Sequence, residues 1–292
     1  TADITPGFAW NALVVWGAGT VGAGTSVHSI PYLGLAASQN GTTLDAEYSV
    51  CARSLDTADP SNTNTYVDDR IIYIDGTSAV AQLGAGNGAI GSTTTFDFTA
   101  NNGAYSFGTL AIGGDDVTNV ALTEELFPTS GQITNSLLGF RPDVLIMISG
   151  RTTGVSYPVT MADASLSIAW ATRADSGFGS MSMTSEDDVS GSDASRISSV
   201  SQWNLLNAGH ATQELIDITT ISFDANGYTL TPTTHPNANE YIYVLAIKGG
   251  SWGTMPRKTN GATGEQMLNL TAGHFRTTQL AALWMHGNAT GE

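Results

Sequence analysis

The chain repeats itself. Phe8-Ala9-Trp10-Asn11-Ala12-Leu13-Val14-Val15-Trp16 is echoed by Phe140-Arg141-Pro142-Asp143-Val144-Leu145-Ile146-Met147-Ile148. Leu33–Ser38 parallels Leu166–Thr172, Asp69–Ile71 parallels Ser195–Ile197, Phe98–Gly103 parallels Phe223–Gly227, and Leu110–Gly114 parallels Leu245–Gly250. The offsets fall between 125 and 135 residues, and the order is kept. Self-similarity at a fixed spacing marks one folding unit used again. The 292 residues therefore divide into a first unit, 1–128, a second, 129–250, and an extension, 251–292. In the extension, Glu265-Gln266, Leu270, Gly273 and Phe275 resemble Gly131-Gln132 and Leu137–Phe140, and Leu280-Ala281-Ala282-Leu283-Trp284 reads as the opening strand of a third copy. A lone strand cannot bury its apolar face or pair its backbone. It is expected to add to a sheet of this chain or of a neighbouring subunit, with Leu280, Leu283 and Trp284 as contact residues.

Each unit reads as β-structure. Short apolar runs recur at Ala12–Trp16, Tyr32–Ala37, Arg70–Ile74, Val144–Ile148, Leu166–Ala171 and Tyr241–Ile247. Each is bounded by Gly, Asp or Asn, which is a strand signal with turn punctuation. Asn40-Gly41, Asp75-Gly76, Asn102-Gly103 and Asn226-Gly227 suit hairpins, because Asn and Gly tolerate the left-handed backbone. Helical periodicity is weak, with single turns expected at Thr123–Leu126 and Gly264–Leu270. The expected fold is all-β: two tandem β-sandwich or jelly-roll-like domains plus the extra C-terminal strand.

Charge narrows the function. Only 12% of residues are charged, and acids outnumber bases 26 to 10, for a net charge of −16. Ten scattered bases cannot form the basic patch that nucleic acid requires. No apolar run reaches the 18 or so residues of a membrane-spanning helix, so no membrane partner is expected. The start, Thr1–Pro6, lacks the basic and apolar regions of a signal peptide. Cys51, the one cysteine, sits in an apolar stretch and reads as a buried, inert thiol.

Three stretches carry a resemblance: Gly139–Met147, Ile221-Ser222-Phe223-Asp224-Ala225-Asn226-Gly227-Tyr228-Thr229-Leu230, and Tyr243–Gly250. They are similar to tandem β-sandwich proteins encoded among the structural genes of tailed bacteriophages. There, a Gly-Phe-x-Pro-Asp run opens a strand, a Phe-Asp-x-x-Gly hairpin follows, and a Leu-Ala-Leu-Gly-Gly-like run closes the unit. The resemblance spans about residues 7 to 287. The first unit departs from it, with Trp10 in the place of the Pro and Tyr105 displaced past an insertion, and the last copy has Thr277 in that place. The resemblance implies a virion component and supplies no catalytic residues.

The sequence carries few residues in patterns that point to chemistry. His28, His210, His235, His274 and His286 show no metal-ligand spacing. No nucleophile elbow or phosphate loop is present. The acidic pairs Asp68-Asp69 and Asp115-Asp116 and the triplet Glu186-Asp187-Asp188 offer oxygen ligands of the kind Ca²⁺ takes, but without a calcium-loop motif they read as turn residues, and no cofactor is expected. Trp16, Trp170 and Trp284 lie in apolar runs and read as packing residues. Trp203 and Trp252 stand in polar stretches and are the candidates for an exposed contact.

The expected function is therefore non-enzymatic: a structural protein on the outer surface of a phage particle, decorating the capsid. Its partners would be copies of itself and major capsid or tail subunits. Low charge lets large surfaces be buried with little desolvation cost, and many weak contacts add through symmetry. The alternative is a tail-associated adhesin that binds a host surface glycan.

Overall fold

In the computed structural model, residues 2–18, 28–55, 60, 62–74, 79–83, 93–101, 106–174, 176–190, 194–206 and 214–252 are described. Residues 253–292 of the extension, with Leu280, Leu283 and Trp284, lie outside the described residues, as do Asp75-Gly76, Asn102-Gly103 and the helical turn expected at Gly264–Leu270.

The first unit contributes β1 (Ala2–Ile4), β2 (Trp10–Ala18), β3 (His28–Ser29), β4 (Pro31–Ala37), β5 (Ala46–Leu55), β6 (Asn62–Asp68), β7 (Ile72–Ile74), β8 (Ala79–Leu83), β9 (Thr94–Asn101) and β10 (Ser106–Gly113). The chain continues through β11 (Val117–Phe127), β12 (Ile133–Asn135), β13 (Val144–Thr152), β14 (Val159–Ala162), β15 (Ala164–Thr172), β16 (Phe178–Ser185), β17 (Ala194–Ser199), β18 (Trp203–Leu206), β19 (Glu214–Asp224), β20 (Gly227–Thr234) and β21 (Glu240–Gly249). The described residues contain no helix. All six apolar runs coincide with strands, wholly or in part. Thr123–Leu126 is not helical but part of β11, where Val120 and Leu122 face the middle core while Ala121 packs on the second unit's own core, at the period of a strand.

Two sandwiches result, each with a large and a small sheet. The first pairs β10-β2-β4-β5-β6 with β1-β9-β8-β7, and the second pairs β21-β13-β15-β16-β17 with β12-β20-β19-β18. The two orders correspond strand for strand. Two strands depart from strict separation. β11 precedes residue 128, yet it runs beside β21 in the second unit's large sheet, so that unit begins near Val117. β14 leaves the second unit and extends the first unit's sheet, pairing Val159–Ala162 with Asn64–Val67 of β6.

The topology also sorts the sequence echoes. Phe8 and Phe140, Leu33 and Leu166, and Leu110 and Leu245 stand 132 to 135 residues apart and precede or occupy equivalent strands. The two pairs nearer 125 do not match. Asp69–Ile71 links β6 to β7, whereas Ser195–Ile197 lies inside β17; Phe98 is in β9, whereas Phe223 is in β19, the counterpart of β8.

Three cores explain the unbroken apolar runs. Leu13 and Val15 of β2 join Tyr32, Ile72 and Phe96 between the first unit's sheets. Leu145 and Met147 of β13 join Trp203, Tyr228 and Val244 between the second unit's sheets. Their neighbours on the opposite faces, Ala12 and Val14, Val144 and Ile148, meet in a middle core with Leu35, Val50, Leu166, Ile168 and Leu245. Side chains alternate across a strand, so a strand covered on both faces must be apolar at every position. The described residues therefore form a stack of four sheets with the large sheets innermost.

Close approach fixes particular glycines. Asn226-Gly227 does lie at a hairpin, but the turn residues are Ala225 and Asn226, and Gly227 opens β20. A Cβ on Gly227 would stand 1.8 Å from the Asn135 carbonyl oxygen. Glycine is required there by the backbone of β12, not by a left-handed turn.

Candidate functional site

The residues that carry the phage resemblance converge on the second sandwich. Gly139 turns the chain at φ +74°, and Phe140 plugs the core beside Leu145 and Tyr228. Asp143 then holds three strand ends together. Its Oδ2 accepts Gly249 N at 2.7 Å, its amide donates to Ile247 O at 2.7 Å, and its carbonyl accepts Arg173 N at 2.9 Å. The Arg173 guanidinium donates to Asp143 Oδ1, with Nε at 2.9 Å. In the first unit Asn11 takes this place: Ser38 N donates to Asn11 O at 2.7 Å, and Asn11 Nδ2 donates to Ser38 O at 3.1 Å. These motifs build structure and display no reacting group.

Trp203 does not make an exposed contact. It opens β18, is fully buried, and its indole Nε1 donates to Ser167 Oγ at 2.5 Å. The polar residues before it form the turn, and the strand then runs inward. The alternation Trp203-x-Leu205, both packed in the second unit's core, was the sequence signal for this. Trp252 is half-buried against the middle core, and its Nε1 donates to Gly249 O at 2.6 Å, capping the end of β21. Of the two rings expected to make an exposed contact, Trp203 is therefore withdrawn into the core and Trp252 keeps part of its surface exposed.

The acidic clusters separate into three kinds. Asp115 and Asp116 are exposed in the β10–β11 turn. Asp187 ties the two units: its Oδ1 accepts Thr63 N at 2.8 Å, and its own amide donates to Asp163 Oδ1 at 2.7 Å. Asp68 is fully buried. Among the described residues no three His, Cys, Asp or Glu side chains assemble as a metal-binding group. His235 is half-buried and bonds Gly131 O at 2.8 Å.

The seam between units is the most elaborated region. Thr65 Oγ1 donates to Asp163 O at 2.8 Å and stands 2.7 Å from Ser165 N, which donates to it. Val120 N donates to Gln39 Oε1 at 2.8 Å. Gly150 presses so close that a Cβ would meet Thr65 and Val50 at 2.7 Å. Beyond the seam, the large sheets end in edge strands. Among the described residues β11 and β17 border the second unit's large sheet, and β10 borders the first unit's. β17 (Ala-Ser-Arg-Ile-Ser-Ser) alternates exposed and half-buried residues. Edge strands carry unpaired N–H and C=O groups that can take up a further strand.

No family model matches the chain, and neither the curated proteins nor the solved structures contain a significant match.

Proposed function

We propose that this protein is a non-enzymatic structural component of a tailed-phage particle, decorating the outer surface of the capsid through subunit contacts. The observation that carries this reading is β14. A strand of the second unit completes the sheet of the first, on the edge of β6, while the large sheets bury their faces against each other. Joining sandwiches by strand addition and by apolar faces is thus already how this chain builds. β17 is the counterpart of β6 in the second unit, and it has no such cover among the described residues. Copies of the chain or capsid subunits would engage the edges β10, β11 and β17. The net charge of −16 suits an outward position, since like charge repels a packaged genome. The sequence resemblance supports the phage context, and its motifs serve the sandwich core rather than chemistry.

Immunogold labelling of intact particles tests the assignment. Label over the head supports it. Label confined to the tail tip favours the adhesin reading instead, and label absent from particles overturns both.

A further inference from the structure

The first sandwich encloses acids that its counterpart lacks. Glu47, Ser49 and Cys51 alternate along β5 and so share one face with Tyr66 and Asp68 of β6, the face covered by the small sheet. Ser49 stands directly opposite Asp68 in the register. Glu47 retains 5% exposure, and Ser49 and Asp68 retain none. Glu47 Oε2 accepts Leu83 N at 3.1 Å, and Asp68 Oδ2 faces Arg70 Nη1 at 3.3 Å. Their other oxygens, Glu47 Oε1 and Asp68 Oδ1, are buried without a hydrogen-bond partner, and so is Ser49 Oγ. Such atoms are expensive to leave unpaired.

The repeat shows that the sandwich itself does not require these acids. Glu47 lies opposite Ala36 and Ser49 opposite Gly34; in the second unit Ser180 lies opposite Ala169 and Ser182 opposite Ser167. Ser180 and Ser182 therefore occupy the places of Glu47 and Ser49. Their hydroxyls donate to Gln202 O, at 2.7 Å, and to Asn204 O, tying the large sheet to β18. Opposite Ser182 stands Ile197, where the first unit has Asp68. Neutral residues fill the position in one unit. In the other, Glu47 and Asp68 are buried within reach of each other's charge and of the exposed Asp69, and the Arg70 guanidinium stands beside Asp68.

We propose that Glu47, Ser49 and Asp68 form a buried cation site in the first sandwich, selective for a hard ion of the calcium class. The available donors are two carboxylates and a hydroxyl, all oxygen, which suits hard cations and not zinc or copper. An ion there neutralises the excess negative charge and gives the three unpaired oxygens a partner.

The test uses the full chain, stripped with EDTA and titrated with Ca²⁺ by calorimetry. We expect one ion per chain and a higher Tm on binding. Glu47→Gln and Asp68→Asn each reduce affinity by about tenfold or more, and Ser180→Ala in the second unit leaves it unchanged. Should the variants misfold, the Tm of wild-type protein read with Ca²⁺ and with Zn²⁺ tests the same all-oxygen site, Ca²⁺ raising it and Zn²⁺ not. No calcium-dependent rise in Tm, or a rise that Zn²⁺ produces equally, overturns the proposal, as does calcium binding that both variants leave unchanged.

Discussion

Tyr48 of the first unit lies on Tyr243 of the second, with ring centroids 4.6 Å apart and planes 28° from parallel. Tyr243 shares a hydrogen bond with Tyr157, 2.8 Å between hydroxyl oxygens, and Tyr157 donates to Glu124. Burial raises the pKa of all three phenols first of all, and the charge of Glu124 adds to it, so they remain protonated donors. The stack thus joins the two sandwiches and continues into a polar chain on the second. A double-mutant cycle with Tyr48→Ala and Tyr243→Ala should show coupling of about 0.5–1.5 kcal/mol, the usual worth of an aromatic pair beyond its area. Additive losses in denaturant titrations would mean that the rings merely lie near each other.

The middle core belongs to both units, so damage there should not stay local. Ile168 and Leu35 are almost fully buried in it. Ile168→Ala or Leu35→Ala should each cost about 2–5 kcal/mol. Calorimetry should still show one transition, shifted down. A second transition appearing in either variant would indicate sandwiches that fold independently.

Trp203 gives a contrasting test of packing against recognition. Its ring fills the second unit's core, and its N–H is satisfied by Ser167. Trp203→Ala should destabilise by about 3–5 kcal/mol. A glycan array that lost binding in this variant at unchanged stability would contradict the buried placement.

Glu47 makes stability depend on pH in a direction opposite to ordinary ion-paired acids. Its carboxyl is raised from 4.5 to about 8, chiefly by burial. The folded state therefore keeps a proton that the unfolded chain releases. This contribution is complete below about pH 4.5 and disappears as pH rises through about 8. Asp68, raised to about 7, acts in the same direction. The Tm of ion-free protein should fall from pH 5 to pH 9, and Glu47→Gln should flatten the fall. A Tm that rises over this interval, or a Glu47→Gln variant with the wild-type slope, would count against it.

The strand content of this fold, and three of the five echoes that mark its repeat, were legible in the chain. Unbroken runs such as Val144–Ile148 and Tyr241–Ile247 announce strands buried on both faces. They do not say which sheet covers the second face, so the stacking of the large sheets was out of reach. β14 was equally hidden. Its four residues, Val-Thr-Met-Ala, carry no signal that they will pair with β6 rather than with a neighbour in their own unit. Trp203 follows a polar turn that suggests exposure, and only the alternation Trp203-x-Leu205 after it points inward. Asp68 looked like half of a solvated pair. Only the register, which sets it opposite Ser49 under the small sheet, distinguishes it from Asp69.

Hydrogen exchange, followed residue by residue on the full chain at increasing denaturant, tests most directly whether two sandwiches form one block. The amides of β4 and β5 should exchange with those of β13 and β15 in a single slowest class, released only by global unfolding. If the first unit's strands opened at a lower denaturant concentration than the second's, the middle core would not bind the repeats together, and the account of this protein as one rigid structural unit would be wrong.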